Sequence, residues 1–203
     1  MQAVEELAAA VFGAWMVIEA VPERLELKRE IFGELDRLAD PDAILASNSS
    51  SLPTSQFIGN VQHRERVLNS HYQQPPDLPS VELMSDGETD EAIIDLLMRK
   101  LPQYGFVPFH VRRESDGFIF NRIWAAIKRE CLMVVEEGVA PPEDVDRMWE
   151  IFTAAGVHPS GSWTTSGSMS CSISRSTTRK CAQDCRRDRG RCSATTSTKA
   201  GSA

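Results

Sequence analysis

The sequence predicts an α/β fold in which part of a parallel sheet is followed by the start of an all-α C-terminal domain and a disordered tail. Three observations carry this. Short apolar runs alternate with helix-spaced patterns as far as Val111, the signature of a parallel sheet with crossover helices. From Gly117 the pattern is helical only. Beyond Val157 there is no Leu, Val, Phe or Tyr, and Ser, Thr and Arg dominate. The resulting boundaries are 1–112, 113–155 and 156–203.

Each element has its own justification. Trp15 to Val21 is an apolar run that reads as a buried parallel strand. Pro22 then opens a helix, because its fixed φ suits a first helical turn. Leu27, Ile31, Leu35 and Leu38 recur at helical spacing until Asp40-Pro41 stops it. Ala43 to Ala46 reads as a second buried strand, followed by the polar turn Ser47 to Ser51. In such sheets ligands bind at the loops leaving the strand carboxyl ends. Val67-Leu68 and Val81 to Met84 read as further short strands, and Ile93, Leu96, Leu97 and Leu101 mark a helix. Phe106 to Val111 reads as an edge strand, since Pro108 has no amide proton to give a ladder. After the polar linker Arg112 to Asp116, Ile119, Ile123, Ile127 and Val134 share one helical face up to Gly138. Pro142 to Phe152 begins another helix, with Glu143 and Asp144 in its first turn, where the helix dipole favours carboxylates.

Charge and cysteine narrow the function classes. The chain of 203 residues carries a net charge of −7. From Gly156 onward eight Lys/Arg oppose two Asp, so that segment is +6 and residues 1–155 are −13. So acidic a body argues against nucleic acid as the main partner. No apolar run approaches the ~20 residues of a membrane helix, and the first residues lack a signal-peptide pattern. The expectation is an intracellular protein without a membrane partner. Cys131 is the single cysteine of the body, which fits a reducing compartment. Cys171, Cys181, Cys185 and Cys192 are unevenly spaced without a paired Cys-x-x-Cys, so no metal site is expected. The first residues look helical, and the reading is that an upstream portion is absent.

A string of short motifs points to chemistry: Asn48-Ser49-Ser50-Ser51-Leu52, His71 with Pro75-Pro76, Val81-Glu82, and Gly117-Phe118-Ile119-Phe120-Asn121-Arg122. In this order and spacing they resemble the 3-hydroxyacyl-CoA dehydrogenases, most closely the fungal type. The resemblance runs from about Trp15 to about Phe152. It implies a Rossmann-like NAD-binding domain, NAD as cofactor, an acyl-CoA substrate, a homodimer and a role in fatty-acid oxidation. Oxidising a secondary alcohol needs a base for the hydroxyl proton and an acceptor for hydride. The resemblance assigns the base to His71 and its carboxylate helper to Glu82. It makes Ser50 and Asn121 ligands of the substrate oxygens, and puts Glu23, Lys28, Ala20 and Asn48 at the nicotinamide end of the cofactor. Taken singly these residues have plainer readings: a structural histidine, a solvated glutamate, turn chemistry at Ser50, and a polar residue tolerated near a helix end at Asn121.

Two departures from the family pattern stand out. No Gly-x-Gly-x-x-Gly turn is present to hold a pyrophosphate, and Gly13 is solitary. After Phe152 the family's further helices give way to Ser/Thr/Arg. Codons can be chosen for Ser162 to Thr178 so that a shifted frame continues the family pattern, so a frameshift would explain the tail. Two alternatives compete with a 3-hydroxyacyl-CoA dehydrogenase. One is another β-hydroxyacid dehydrogenase, such as the 6-phosphogluconate type, whose catalytic lysine precedes an asparagine by four residues. Gly117 holds that place here. The other is a non-catalytic remnant acting through association.

Overall fold

The computed structural model describes residues 3–74 and 77–154. The tail reading, with its cysteines and shifted frame, lies outside them. The chain divides into two units, 1–139 and 140–203. The described part of the second is helix α5 (Pro142–Ala154), with Glu143 and Asp144 in its first turn as expected.

The first unit is built on five strands in the order β1-β2-β3-β4-β5: Met16–Glu19, Ile44–Ser47, Val67–Gln74, Leu78–Met84 and Val107–Val111. Its helices are the short α1 (Leu7–Val11), α2 (Leu25–Leu38), α3 (Glu91–Lys100) and α4 (Phe120–Glu136). The β1–β2, β2–β3 and β4–β5 pairs are parallel. The β3–β4 pair is antiparallel, so the sheet is mixed and not wholly parallel. Only a few residues separate these two strands, and that length suits a hairpin; a parallel crossover needs a dozen or more.

Period-2 alternation splits the core between the two faces of the sheet. Leu45 and Val67 pack on one face with Phe32 and Leu35 of α2 and with Phe57, Ile58 and Val61. Ile44, Ala46, Leu68, Val81 and Leu83 pack on the other with Ile94 and Leu97 of α3.

Several expectations are corrected. β1 is not a buried strand: it forms one sheet edge, and Ile18 is 46% exposed. α2 buries Lys28, Phe32, Leu35 and Asp36, while Leu38 is exposed. Two charged groups replace expected aliphatics because each has a partner: Lys28 pairs with Glu19, and Asp36 with Arg66. β3 has eight residues where a two-residue apolar signal was visible. The helix after Gly117 begins at Phe120, because Gly117 and Phe118 both have positive φ, 71° and 53°. The apolar face of α4 is not buried within this unit, and Ile119 and Ile123 are more than 40% exposed. β5 lies at the other edge of the sheet, as Pro108 implied.

Candidate active site

The hairpin sets His71 directly opposite Glu82. The His71 Nδ1 to Glu82 Oε2 distance is 2.9 Å, and both side chains are less than a tenth exposed. A carboxylate accepts only, so His71 Nδ1 carries the proton and donates. Its Nε2 then holds the lone pair, and it makes no hydrogen bond among the described residues. The ring packs on Phe118, with centroids 5.3 Å apart.

Glu82 serves two elements at once. Its Oε2 takes His71 and the Gln73 amide at 3.1 Å, while its Oε1 accepts from the amides of Ile119 at 2.8 Å and Phe120 at 3.0 Å. Those amides lie at the N-terminus of α4, where free N–H groups and the dipole favour an anion. Burial pushes the Glu82 carboxyl up, but the bonds from His71 and the two amides, with the attraction of His71, outweigh it and hold the group below the usual glutamate range.

Ser50 and Asn121 meet as well. Asn121 Nδ2 donates to the Ser50 carbonyl at 2.6 Å, and the amide of Gly117 donates to Ser51 O at 3.3 Å. The Ser50 hydroxyl and Asn121 Oδ1 make no bond among the described residues. Asn48 closes the loop from the other side, its Oδ1 accepting from the Tyr72 amide at 2.9 Å beside His71.

At the carboxyl end of β1, Glu23 Oε1 accepts from Ser49 Oγ at 2.6 Å and from the Ser50 amide at 2.9 Å. Partial burial raises the Glu23 carboxyl, yet these bonds and Lys28 together hold it below its ordinary value. Lys28 is enclosed: its ammonium lies 3.0 Å from Glu19 and 3.4 Å from Glu23. Its charge is therefore taken up by two carboxylates, and its side chain is only 1% exposed. Ala20 is exposed between Glu19 and Val21 and offers backbone alone.

Sequence reasoning missed two residues. Glu19 also accepts from Ser47 Oγ at 2.7 Å and from the Val21 amide at 2.6 Å. A carboxylate inside an apolar run, with a lysine nine residues on, was the available signal. Gln73 carried no signal, because its role depends on the β3–β4 register.

A Rossmann-like sheet with a buried His–Glu pair beside the polar loop that leaves β2 suits a nucleotide-binding protein with a proton-transfer site. The comparisons give the family. The profile "3-hydroxyacyl-CoA dehydrogenase, NAD binding domain" matches residues 1–115, and "3-hydroxyacyl-CoA dehydrogenase, C-terminal domain" matches 117–191. The chain is 42% identical to the lambda-crystallin homolog of Rattus norvegicus, over 69% of this chain and 44% of that one. It is 37% identical to the L-carnitine dehydrogenase/betainyl-CoA thioesterase of Agrobacterium fabrum, over 69% of this chain and 28% of that one. It superposes on 3-hydroxybutyryl-CoA dehydrogenase from Escherichia coli K12 with a TM-score of 0.65 and 31% identity, over 69% of this chain and 29% of that one. The chain belongs to the 3-hydroxyacyl-CoA dehydrogenase family, whose cofactor is NAD. Its match spans less than half the length of these relatives.

Polar groups suited to one end of that cofactor cluster at the carboxyl ends of β1 and β2, Ser49 bonded to Glu23 and Asn48 to the Tyr72 amide. The glycine turn that would hold the pyrophosphate is not in the sequence.

Proposed function

We propose that the chain carries the proton-transfer half of an NAD-dependent dehydrogenase that oxidises (S)-3-hydroxyacyl-CoA to 3-oxoacyl-CoA. The observation that supports this most is the buried His71–Glu82 pair with Nε2 unengaged.

The chemistry of this chain's own residues follows from the tautomer. His71 Nε2 accepts the hydroxyl proton of the substrate as the C3–H bond breaks. The imidazolium so formed keeps its Nδ1–H on Glu82, whose charge stabilises it. The Ser50 hydroxyl and the Asn121 amide are neutral polar groups able to hold the C3 oxygen or the thioester carbonyl without competing for the proton. Glu23, Asn48 and the backbone at Ala20 border the nicotinamide end, with Lys28 acting through Glu23. NAD, when bound, supplies the acceptor for the hydride leaving C3.

The substrate class separates this reading from that of the carnitine-acting relative and from other β-hydroxyacid dehydrogenases. The test is turnover of 3-hydroxybutyryl-CoA, L-carnitine and free 3-hydroxybutyrate by the chain fused to the glycine-rich N-terminal unit of a relative. Preference for the thioester supports the proposal, and preference for either free acid overturns it. A second reading, a non-catalytic remnant that associates through its surface, draws on the exposed β1 edge with its half-exposed Ile18. Turnover of the extended chain divides the two: NAD-dependent oxidation that His71→Ala abolishes favours the enzyme, and no turnover with any of the three substrates favours the remnant.

A further inference from the structure

We infer that Gln73 is a positioning residue that sets the proton affinity of the His71–Glu82 pair, by donating its side-chain amide to the same carboxylate oxygen that holds the imidazole. Its bearing on catalysis rests on His71 being the base, but the interaction belongs to the folded chain alone.

The register explains how Gln73 gets there. Residues two apart on a strand share a face, so Gln73 lies on the side of β3 that carries His71. The β3–β4 pairing shifts between Tyr72 and Gln74, so Gln73 has no direct partner on β4 and its side chain reaches diagonally to Glu82. Gln73 Nε2 lies 3.1 Å from Glu82 Oε2 and 3.5 Å from His71 Nδ1. Its amide end is fixed by chemistry, because a carboxylate accepts only and the amide oxygen there would meet it lone pair to lone pair. The half-buried side chain also borders a cavity of about 230 Å³ lined by Ser80, Glu82, Phe109, Ile119 and Phe120.

Both effects of this amide act in one direction. Donation to Oε2 draws off part of the negative charge that would otherwise stabilise the imidazolium. The positive NH₂ end beside Nδ1 disfavours a second proton on the ring directly. Among the described residues Glu82 on β4 is the charged group bonded to His71, and its other oxygen is held by the uncharged amides of Ile119 and Phe120. From the linker, the Phe118 ring packs on the imidazole. From the loop after β2, Asn48 bonds the neighbouring Tyr72 amide. On β5, Phe109 lies opposite Glu82, and His110 belongs to the next register position, on the other face. Both contacts of the Gln73 amide therefore favour the neutral imidazole over the imidazolium, which suits a base.

The test is an NMR titration of the imidazole nitrogens in the full 203-residue chain, with the His71 signals identified by their loss in His71→Gln. Gln73→Leu removes the donor at similar size, and the His71 midpoint should move up. Gln73→Glu replaces the donor with a carboxylate of the same shape, and should move it up further. An unchanged midpoint in a folded Gln73→Leu chain would overturn the inference. If that variant does not fold, an unchanged or lower midpoint in Gln73→Glu would do the same. Neither measurement needs cofactor or substrate. A midpoint shift without turnover in the extended enzyme would count against the proposed reaction alone, and turnover without a shift against Gln73 alone.

Discussion

His71 has one ring nitrogen held by Glu82 and one free, and that asymmetry makes its removal informative. In the enzyme extended with a glycine-rich unit, His71→Ala should lower kcat by about 10²–10⁴-fold, the usual worth of a positioned base, with little change in NADH affinity. Near-normal turnover, measured by steady-state kinetics, would remove His71 from the role. Three carboxyls, Glu23, Asp36 and Glu82, sit below their ordinary values. For each, burial works upward and is outweighed: by hydrogen bonds and Lys28 at Glu23, by Gln62, Arg66 and His63 at Asp36, and by His71 and backbone amides at Glu82. A carboxyl whose folded value is depressed contributes stability that is complete above its unfolded value, about 4. That contribution is lost as the pH falls through the lower folded value. Denaturant titrations should therefore show a steep loss of stability on acidification below about pH 4, and Glu82→Gln should flatten it. The residues of the pair were legible in the sequence because their flanking motifs fix their order. Their partners were not. Asn69, Ser70 and His71 are buried polar residues inside β3, and Asn69 is satisfied by Leu52 O and the Thr54 amide, far away in sequence. No local pattern announces such a bond, and β3 therefore read as a strand of only two apolar residues, Val67 and Leu68.

At the scale of elements, helix spacing located α2 and α3 but misplaced part of the buried face of α2. A period of 3.6 cannot distinguish Leu38 from Lys28 when burial is decided by whether a charged partner waits inside. Phe32 is fully buried and packs on Phe57 with centroids 5.0 Å apart, while Leu38 is 44% exposed. Thermal or chemical unfolding should show Phe32→Ala costing about 3–5 kcal/mol and Leu38→Ala within about 0.5–1 kcal/mol. The turn before α4 gives a second test. Gly117 has φ 71°, and an added Cβ would meet Asn121 Cβ at 3.5 Å, an ordinary contact. Space is therefore not the obstacle, and the left-handed backbone is. Gly117→Ala should cost about 1–2 kcal/mol, and a larger loss would mean that the turn carries more than its own conformation.

At the scale of the whole molecule, helices pack on both faces of the mixed sheet, and among the described residues no strand pairs with the outer edge of β1. Phe12, Trp15 and Ile18 are exposed around that edge, and strand edges flanked by apolar side chains invite pairing with another chain. Light scattering of the 203-residue chain should show association that increases with concentration, and Ile18→Lys should reduce it. The same chain should not oxidise 3-hydroxyacyl-CoA at a useful rate. Good positioning of the reacting carbons is worth roughly 7–11 kcal/mol, and it requires an anchored cofactor. NAD-dependent turnover by a monodisperse sample would show that the nicotinamide end suffices.

The carboxylate of Glu82 bonds the imidazole with one oxygen and fastens the first turn of α4 with the other. Under the proposed reaction its side chain answers to two selective pressures at once. A lineage that no longer needs the reaction still needs the fastening, so the glutamate should persist after catalysis has been abandoned. In this fold a retained Glu82 is therefore poor testimony that a descendant remains an enzyme. His71, which fastens nothing through its free nitrogen, is the position to consult.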